Sequence, residues 1–591
     1  MEFKSLPIGI DNFEKLITRD YYYVDKTLLI KDLLDNKSDV NLFTRPRRFG
    51  KTLNISMLQY YFEKTDKDNS YLFENLNIMK SGEKYTSHMG QYPVINLSLK
   101  SAKQPNFELA YISIKRRIAE EYKRHEYILK SEELKDEKER FLKILREQGD
   151  EGDYIDSLFF LSKCLEKYHK KKTIILIDEY DVPLENSFFQ GFYDRMIAFI
   201  RSLFESVLKT NSSLEFGVIT GCLRISKESI FTGLNNLEII SILNKSYDEY
   251  FGFTQKDVNK MLEDYKLSDK EDLIKEWYNG YIFGDAEVYN PWSAVRFVKD
   301  LTIDKKVFPS SYWANTSSNS IVRSLIEKAD SVTKREIELL IEGKTIEKRV
   351  HEDITYDEIY NSMDNLWNFM FFTGYFKKVS ERMDEEDNHF ITLKIPNKEV
   401  KYIFKNKILK WFHDKVKVKD LSKMYEAILN KKPEVFEEEL GKLLIQTISF
   451  NDAYENFYHG FVTGVLANMH NYIVKSNYKE APRHEDDVGF ATKLDTSLSG
   501  KCQGGTGRSD LFIKSVSKRG IAIVIEFKIA KNIDDLEKRA DDALNQIKEK
   551  KYDEELRCEG YKNIVRYGIS FYQKDCLIKM EARPKPLLSD K

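Results

Sequence analysis

A short apolar segment that runs directly into Gly50-Lys51-Thr52 is the feature that most constrains the fold of this 591-residue chain. Residues 40–44 read Val-Asn-Leu-Phe-Thr and predict a buried strand. Residues 53–62 have the spacing of an amphipathic helix. A strand, a loop that ends in Gly-Lys-Thr and a helix, in immediate succession, are the context of a phosphate-binding loop. The segment therefore predicts an α/β domain that binds a nucleotide.

The chemistry of such a loop explains its residue types. Backbone N–H groups in the loop and at the helix N-terminus point at phosphate oxygens, and Gly50 lets the backbone approach closely. Lys51 is expected to reach the β- and γ-phosphates, and the Thr52 hydroxyl to ligate Mg²⁺. The usual G-x-x-x-x-G-K-[ST] pattern has glycine where this chain has Arg45. Taken alone, Gly-Lys-Thr is a weak signal that also fits a helix N-terminus with a solvated lysine.

A second apolar segment supplies the carboxylates that an ATPase needs. Residues 173–177 are followed by Asp178, expected to hold Mg²⁺ through water, and by Glu179, expected to polarise the attacking water. A strand that ends in acidic residues is often only a strand end in solvent, but its pairing with the upstream loop indicates an ATPase-type site. A third segment, 214–220, leads to Arg224. Arg224 is a candidate γ-phosphate sensor, and an ordinary cation at a helix start is an equally compatible interpretation.

The alternation of segments predicts the fold class. Short apolar segments separated by long helical stretches predict a parallel sheet with crossover helices; they are 40–44, 92–97, 173–177 and 214–220. The whole chain is expected to be a multidomain α/β protein, with an N-terminal P-loop NTPase and a helical middle region. The expected domains are an ATPase domain (1–253), a helical lid or winged-helix-like appendage (254–320), a mostly helical connecting region (321–445, with a β-like passage near 389–395) and a C-terminal domain (446–591).

Bulk properties narrow the class of protein. A chain of 591 residues is too long for one hydrophobic core, so about two to four domains are expected. The formal net charge of −2 means that any nucleic-acid site is a local positive patch. The five cysteines include no C-x-x-C pair, and the N-terminal residues lack the apolar stretch of a signal peptide. The longest apolar runs have about a quarter of the length needed to span a bilayer. These features predict a cytoplasmic protein with no membrane partner.

A second constellation of polar residues lies towards the C-terminus. The apolar segment 521–525 leads into a Glu-x-Lys sequence, Glu526 and Lys528, whose side chains project from one face of a strand. Asp510 precedes another apolar segment, 511–516, and a hairpin of the two strands would bring it beside Glu526. Asp510 and Glu526 are expected to bind Mg²⁺ or Mn²⁺, and Lys528 to position or deprotonate the attacking water. Glu-x-Lys alone is more often a simple strand end, and its combination with Asp510 favours a nuclease-type site.

The N-terminal motifs together resemble the AAA-ATPase-like family that is commonly fused to a PD-(D/E)xK nuclease domain in bacteria. An arginine-rich loop without the first glycine is usual in that family, so the resemblance implies nucleotide binding despite Arg45. The matching stretches are 6–9, 23–27, 45–52, 177–181, 220–227, 278–281 and 289–292. The residues expected to contact the nucleotide are Arg45, Pro46, Arg47, Arg48, Phe49, Gly50, Lys51, Thr52, Asp178 and Arg224.

The C-terminal constellation resembles the PD-(D/E)xK signature, with serine at position 509 where proline often stands. The resemblance implies an α/β restriction-endonuclease-like, nuclease-like domain over residues 446–591. The resemblance implies catalytic roles for two further residues. Glu455 matches the glutamate of the family's upstream helix, and Gln546 matches the polar residue on the helix after the Glu-x-Lys strand. His459 is either a general base or, as the favoured interpretation, a hydrogen-bonded core residue.

The sequence thus predicts an enzyme in which ATP binding or hydrolysis controls a Mg²⁺-dependent nuclease. The expected cofactors are ATP and Mg²⁺ or Mn²⁺, and the expected partner is nucleic acid, DNA rather than RNA. The alternative is a nucleotide-driven switch or scaffold whose C-terminal domain binds nucleic acid without cleaving it. A homo-oligomer stays open, because many ATPases of this class complete the site with an arginine from a neighbour.

Overall fold

The structure, a computed structural model, divides the chain into two compact units. The N-terminal unit comprises residues 1–329 and 343–404, and the C-terminal unit comprises residues 330–342 and 405–591. The residues that the structure describes are 3–223, 230–231, 235–313, 331–351, 362–405, 421–445, 455–467, 469, 471–476 and 510–582. The four-part division of the chain expected from the sequence stays a prediction.

A five-stranded parallel sheet forms the centre of the N-terminal unit, in the order β2-β3-β4-β1-β5. Its strands are β1 (Val40–Thr44), β2 (Val94–Ser98), β3 (Thr173–Asp178), β4 (Leu214–Gly221) and β5 (Leu237–Ile240). Every residue of β1 and β3 is buried, as expected for strands covered on both faces by crossover helices. The prediction of a parallel sheet is confirmed, and β5 adds a strand that the sequence did not indicate. Since β4 lies between β1 and β3, the segments that follow these strands emerge at one edge of the sheet.

Helices precede, separate and follow these strands. Their apolar faces supply much of the core, for example Leu161 and Leu165 of one helix and Leu203 and Phe204 of another. The helices are Phe13–Thr18, Leu28–Asn36, Lys51–Phe62, Glu83–Thr86, Phe107–Arg124, Lys138–Leu145, Glu151–Ile155, Ser157–His169, Val182–Gln190 and Tyr193–Leu208.

The chain then forms a small antiparallel sheet in the order β6-β8-β7, surrounded by helices. The strands are β6 (Phe253–Thr254), β7 (Tyr281–Phe283) and β8 (Ala286–Tyr289), and the helices are Gln255–Asp264, Glu271–Tyr278 and Pro291–Ile303. The helical pattern expected from residue 254 onwards is therefore interrupted by a β-hairpin. Tyr278, Tyr281 and Tyr289 are buried and belong to the core.

A second antiparallel sheet, in the order β10-β11-β9, completes the N-terminal unit. It contains β9 (Ile346–Arg349), β10 (Lys377–Met383) and β11 (His389–Lys394), and the helix Met363–Phe372 lies between β9 and β10 in the chain. Strand β11 is the β-like passage predicted near 389–395. Helices occupy the middle of the chain as expected, and β9 and β10 are additions to that prediction.

The C-terminal unit is built on a five-stranded mixed sheet in the order β12-β13-β14-β15-β16. Strands β14 and β15 are parallel, and the other neighbours are antiparallel. The strands are β12 (Tyr472–Ser476), β13 (Leu511–Ser515), β14 (Ile521–Ile529), β15 (Asn563–Tyr572) and β16 (Asp575–Ala582). The helices are Ser331–Glu342, Ser422–Leu429, Pro433–Ile445, Glu455–Leu466, Leu536–Glu549 and Asp553–Cys558.

Strand β14 is apolar on both faces because each face has its own core. Ile523 and Ile525 pack into one hydrophobic cluster, whereas Ala522 and Val524 pack into another on the opposite side. Strands β13 and β14 form the hairpin expected from the sequence, and the helix Leu536–Glu549 and strand β15 follow them. The helix Glu455–Leu466 is followed by Asn471, which has φ 64° and lies directly before strand β12. No helix in the described ranges is long and apolar enough to cross a membrane.

Candidate functional site

The loop between β1 and the helix Lys51–Phe62 is folded around the ammonium group of Lys51. Gly50 precedes the helix with φ 82°, a left-handed conformation that glycine adopts without strain. Lys51 Nζ donates hydrogen bonds to the backbone carbonyls of Arg45 and Pro46, both at 2.9 Å. The side chain of this lysine is thus held at the centre of the loop, with its charge directed at carbonyl oxygens.

Asp178 connects the start of the helix Lys51–Phe62 to the sheet. The Thr52 hydroxyl donates to Asp178 Oδ2 at 2.8 Å, and the Thr220 hydroxyl, from β4, donates to Oδ1 at 2.5 Å. Asp178 is only 1% exposed. Both carboxylate oxygens are therefore oriented by hydroxyl groups from neighbouring elements. Thr220 was not among the predicted site residues, although it lies in one of the stretches that carry the family resemblance.

Glu179, the residue after β3, has φ 55°, a conformation that is uncommon for residues other than glycine. Burial raises the pKa of its carboxyl, the charge of Asp178 raises it further, and Lys51 opposes that rise. Its neighbour Asp181 accepts hydrogen bonds from the backbone N–H groups of Cys222 at 2.7 Å and Leu223 at 3.3 Å. Asp181 thereby fixes the start of the segment that leads to residue 224. Arg224 itself lies outside the described residues.

The side chain of Arg45 packs within the core of the N-terminal unit. It is fully buried, and its Nη1 donates to the backbone carbonyls of Thr44 at 3.0 Å and Ile240 at 2.8 Å. Its guanidinium carbon lies 5.3 Å and 5.2 Å from the ring centres of Phe251 and Phe283. The contact of Arg45 with Lys51 is made by its backbone carbonyl. The sequence pattern predicted a nucleotide contact for this residue and gave no indication of this side-chain direction.

The other residues of the loop contact different neighbours. Arg47 forms an ion pair with Glu185 on the helix Val182–Gln190. Phe49 is buried, with its ring centre 5.0 Å from that of Tyr281 and 5.1 Å from that of Phe283. The loop is thus packed against the hairpin of β7 and β8.

Two close approaches complete the surroundings of the loop. A Cβ atom on Gly374 would come within 3.0 Å of Pro46, so glycine allows this segment to lie against the loop. Arg48, at φ 72°, places its guanidinium carbon 4.3 Å from the ring centre of Trp292.

A second candidate site lies at the ends of β13 and β14. The pairing of Leu511 with Ile525 brings Asp510 opposite Glu526, as predicted from the hairpin. The backbone N–H of Asp510 donates to Glu526 Oε2 at 3.3 Å, and that of Phe527 donates to Asp510 Oδ2 at 2.8 Å. Lys528 Nζ lies 3.5 Å from Glu526 Oε1. The structure therefore brings the three predicted residues together.

Gln546 joins this cluster from the helix Leu536–Glu549. Its Nε2 donates to Glu526 Oε1 and, at 3.3 Å, to the hydroxyl of Tyr552. Tyr552 is 7% exposed and was not predicted. It lies in the turn after the helix, where helical periodicity no longer relates its side chain to that of Gln546. Only the tertiary structure shows that the two residues meet.

The electrostatics of the cluster suit a divalent cation. Burial raises the pKa of Asp510; burial and the neighbouring Asp510 charge raise the pKa of Glu526 to about 8. Two buried carboxylates that repel each other are stabilised in their ionised form by a bound cation. Mg²⁺ commonly uses one or two carboxylates and completes its shell with water, so Asp510 and Glu526 fit such an ion. Among the described residues no cluster of three or more His, Cys, Asp or Glu is arranged for a metal.

The upstream helix contributes a histidine to the same region. His459 is buried, its Nε2 lies 2.9 Å from the carbonyl oxygen of Asp510, and its ring meets Phe527 edge-on. These contacts support the interpretation of His459 as a hydrogen-bonded core residue. Glu455 is the first residue of the helix Glu455–Leu466, and its side chain lies outside the described part of the structure.

Comparison with known proteins gives the same two classes of domain. Residues 7–231 match the family model described as "Predicted AAA-ATPase", and residues 502–581 match the model of the PD-(D/E)XK nuclease superfamily. The chain therefore carries an AAA-ATPase-like domain and a C-terminal PD-(D/E)XK nuclease-superfamily domain, which confirms the resemblance seen in the sequence. The first match contains the phosphate loop and Asp178; the second contains Asp510, Glu526 and Gln546.

A relative from Azotobacter chroococcum mcd 1 bears the description "Uncharacterized protein in vnfD 5'region". It is 28% identical over 336 residues, which are 56% of this chain and 58% of that protein. The match thus spans less than two thirds of either chain.

Proposed function

We propose that the N-terminal unit binds and hydrolyses ATP and that its nucleotide state controls a Mg²⁺-dependent nuclease in the C-terminal unit. One observation carries this proposal: a single chain holds two clusters of residues with complementary chemistry. Lys51, Thr52 and Asp178 meet at one edge of the parallel sheet. Asp510 and Glu526 meet at the ends of β13 and β14.

The chemistry of ATP hydrolysis assigns a role to each residue of the first cluster. Lys51 would contact the β- and γ-phosphates, and Thr52 with Asp178 would hold Mg²⁺. Glu179 follows Asp178 directly and is the candidate for orienting the attacking water. The raised pKa of the Glu179 carboxyl supports this assignment, because a base with a pKa nearer neutrality transfers protons more effectively.

The second cluster has the groups that phosphodiester hydrolysis requires. A metal ion bound there would act as a Lewis acid on the phosphodiester. Lys528 Nζ lies 3.5 Å from Glu526 Oε1, which supports a role in holding or deprotonating the water. Gln546 donates to Glu526 Oε1 and would keep that carboxylate in one orientation. We assign Glu455 to the same site from the family resemblance.

The proposed substrate rests on the class of the second domain, and the proposed cellular compartment rests on the state of the cysteines. The nuclease-superfamily match supports nucleic acid as the partner, and we propose DNA rather than RNA. Cys164, Cys222, Cys558 and Cys576 are free thiols, which supports a reducing compartment such as the cytoplasm.

The test uses the full-length protein with supercoiled plasmid, linear DNA and RNA, in Mg²⁺ or Mn²⁺, with and without ATP. Glu526→Gln removes a metal-binding charge, and Lys51→Ala removes the phosphate contact. Glu581→Gln is the matched control, because Glu581 lies on β16 of the same sheet and pairs with Lys548 and Arg566. We expect cleavage to disappear in Glu526→Gln, to lose its response to ATP in Lys51→Ala, and to persist in the control.

ATP hydrolysis without metal-dependent cleavage of any substrate would contradict the nuclease assignment. A gel-shift measurement on the same samples then distinguishes the alternative, because a scaffold would retain nucleic-acid binding that responds to ATP.

A further inference from the structure

His459 contacts the two chain segments that carry the carboxylates of the second site. Its Nε2 lies 2.9 Å from the backbone carbonyl oxygen of Asp510. Its ring meets that of Phe527 edge-on, with the ring centres 5.7 Å apart. Phe527 directly follows Glu526 in strand β14. One side chain from the helix Glu455–Leu466 therefore reaches both sides of the carboxylate pair.

The contact with Asp510 defines what the Nε2 atom of this histidine does. A carbonyl oxygen only accepts hydrogen bonds, so Nε2 carries a proton and is the donor. A protonated Nε2 neither takes a proton from water nor ligates a metal ion. His459 is only 6% exposed, so its ring is held by its surroundings. Its Nε2 thus acts on the site through the backbone of Asp510.

The backbone of Asp510 in turn sets the geometry of the two carboxylates. Asp510 Oδ2 accepts a hydrogen bond from the backbone N–H of Phe527 at 2.8 Å, and the Asp510 N–H donates to Glu526 Oε2 at 3.3 Å. Burial raises the pKa of Asp510, and the hydrogen bond from Phe527 opposes that rise, so this bond stabilises the ionised carboxylate. A shift of the Asp510 backbone would disturb both bonds. The separation of the carboxylates therefore depends on where His459 holds Asp510.

The residue before His459 anchors the helix on the sheet. The ring of Tyr458 stacks on that of Phe571, with the ring centres 4.2 Å apart, and its hydroxyl donates to the carbonyl of Gln573 at 2.7 Å. Phe571 belongs to β15, the parallel neighbour of β14. His459 consequently has a fixed position relative to the strand that carries Glu526.

We propose that His459 is a positioning residue of the nuclease site, which holds Asp510 in the geometry that binds the metal ion. The inference rests on the proposed nuclease function and deepens it. Groups that hydrogen-bond to metal-binding residues commonly change metal affinity or activity by about 10- to 100-fold. Gln546 is such a group for the side chain of Glu526, whereas His459 acts on the main chain of Asp510.

Two substitutions separate the hydrogen bond of His459 from its ring. His459→Phe keeps an aromatic ring beside Phe527 and removes the donor. His459→Gln removes the ring and retains an N–H donor at about the distance of Nε2 from the main chain.

Metal binding and cleavage are both measured on the full-length protein. Calorimetry gives the Mg²⁺ affinity, and initial rates on the preferred nucleic-acid substrate give kcat and KM at a fixed, subsaturating Mg²⁺ concentration. We expect His459→Phe to weaken Mg²⁺ binding about tenfold or more and to lower kcat without a change in KM. His459→Gln should stay within about threefold of the wild type in both quantities, because it keeps the donor.

Tyr458→Phe is the matched control. It also removes a hydrogen bond from a buried side chain of the same helix to a backbone carbonyl, and it keeps the ring that stacks on Phe571. This variant should retain the Mg²⁺ affinity and the cleavage rate of the wild type. Thermal unfolding without metal separates positioning from folding: His459→Phe and Tyr458→Phe should unfold within a few degrees of each other.

Three results would overturn the inference. Wild-type Mg²⁺ affinity and kcat in His459→Phe would mean that the hydrogen bond does not position the site. Loss of cleavage in both His459 variants at unchanged Mg²⁺ affinity would make His459 a proton-transfer group. Equal losses in His459→Phe and Tyr458→Phe would assign the effect to the stability of the helix.

The same measurements distinguish a failure of the inference from a failure of the proposed function. Glu526→Gln identifies the Mg²⁺ that binds at this site. If Mg²⁺ binding is the same in the wild type and in Glu526→Gln, both the nuclease function and the inference are wrong. If Glu526→Gln loses Mg²⁺ but the wild type cleaves no substrate, only the nuclease function is wrong, and the Mg²⁺ affinity of His459→Phe decides the inference.

Discussion

The Thr52 hydroxyl donates a hydrogen bond to Asp178 Oδ2 at 2.8 Å, so the helix Lys51–Phe62 and strand β3 meet at one carboxylate. Thr220 reaches the other oxygen of the same carboxylate from β4. The contact follows from the strand order, because β4 lies between β1 and β3 and all three strands are parallel. Residues far apart in the chain are thereby assembled at one edge of the sheet.

Removal of the Thr52 hydroxyl should abolish most ATP hydrolysis. Thr52→Val keeps the shape of the side chain and loses both the contact with Asp178 and the expected Mg²⁺ ligand. We expect the rate to fall about a hundredfold, corresponding to several kcal/mol of lost metal stabilisation. Steady-state phosphate release measures the rate. Thr52→Ser keeps the hydroxyl and serves as the control; similar rates for the valine and serine variants would contradict the assignment.

The hydrogen bond from Gln546 to Glu526 predicts that loss of the Gln546 side chain slows nucleic-acid cleavage. Gln546→Ala should slow cleavage about tenfold or more, because Glu526 loses the donor that orients it. Tyr552→Phe should have a smaller effect, since it removes only the hydroxyl that contacts Gln546. Initial rates on the preferred substrate measure both. Tyr561→Phe is the control, because that hydroxyl donates to the carbonyl of Ser515 at 2.7 Å, outside the cluster.

The second site should release protons when it binds Mg²⁺. Burial and the charge of Asp510 raise the pKa of Glu526 to about 8, so the metal-free cluster retains a proton at neutral pH. A metal ion needs the carboxylates ionised, and Mg²⁺ affinity should therefore rise as the pH increases from about 6 to about 8 and then level off. Calorimetry in buffers with different ionisation enthalpies measures the released protons. Absence of proton release at pH 7, or its persistence in Glu526→Gln, would exclude this linkage.

The sequence predicted the elements that depend on local patterns. Strands β1, β3 and β14 are mainly apolar, and mainly apolar strands are typical of sheets buried on both faces. Strand β7 has only three residues, and β10 is largely exposed and charged. Neither strand has a local sequence pattern that predicts it, because β7 is too short and β10 is too polar. Both strands form because a neighbouring strand supplies hydrogen-bonding partners.

The same distinction applies to the candidate sites. Lys51, Asp178 and Glu526 stand at recognisable positions relative to a strand, and local sequence is sufficient to select them. Thr220 and Tyr552 reach their partners only through tertiary packing. A motif also specifies a position without specifying the direction of its side chain.

Arg45 illustrates that limit and provides a fourth prediction. Its guanidinium is buried beside Ile240, Phe251 and Phe283, so Arg45→Ala should destabilise the protein by about 2–5 kcal/mol. Affinity for ATP, measured at a temperature at which the variant stays folded, should change much less than in Lys51→Ala. Calorimetric unfolding and nucleotide titration provide the two measurements. A large loss of affinity at unchanged stability would instead assign the Arg45 side chain to the phosphate site.

Glu399 predicts how the stability of the N-terminal unit depends on pH. The carboxyl is fully buried; its Oε1 accepts hydrogen bonds from the Ser293 hydroxyl and from the backbone N–H of Trp313, both at 2.9 Å. Burial raises its pKa from 4.5 to about 7. The folded protein therefore holds a proton that the unfolded chain releases between these pH values. Stability contributed by this group is present below about pH 4.5 and is lost as the pH rises to about 7.

Glu399→Gln should remove this dependence, because glutamine keeps the shape of the side chain and has no charge to bury. We expect the variant to be more stable than the wild type by about 3 kcal/mol at pH 8, because burial raises the pKa of the wild-type carboxyl from 4.5 to about 7. The gain should shrink steadily as the pH falls towards 5. Urea unfolding of the full-length protein at several pH values measures the difference. Glu385→Gln, in the exposed turn between β10 and β11, should show no such trend. A gain that stayed constant or grew at acidic pH would mean that Glu399 is ionised in the folded protein at neutral pH.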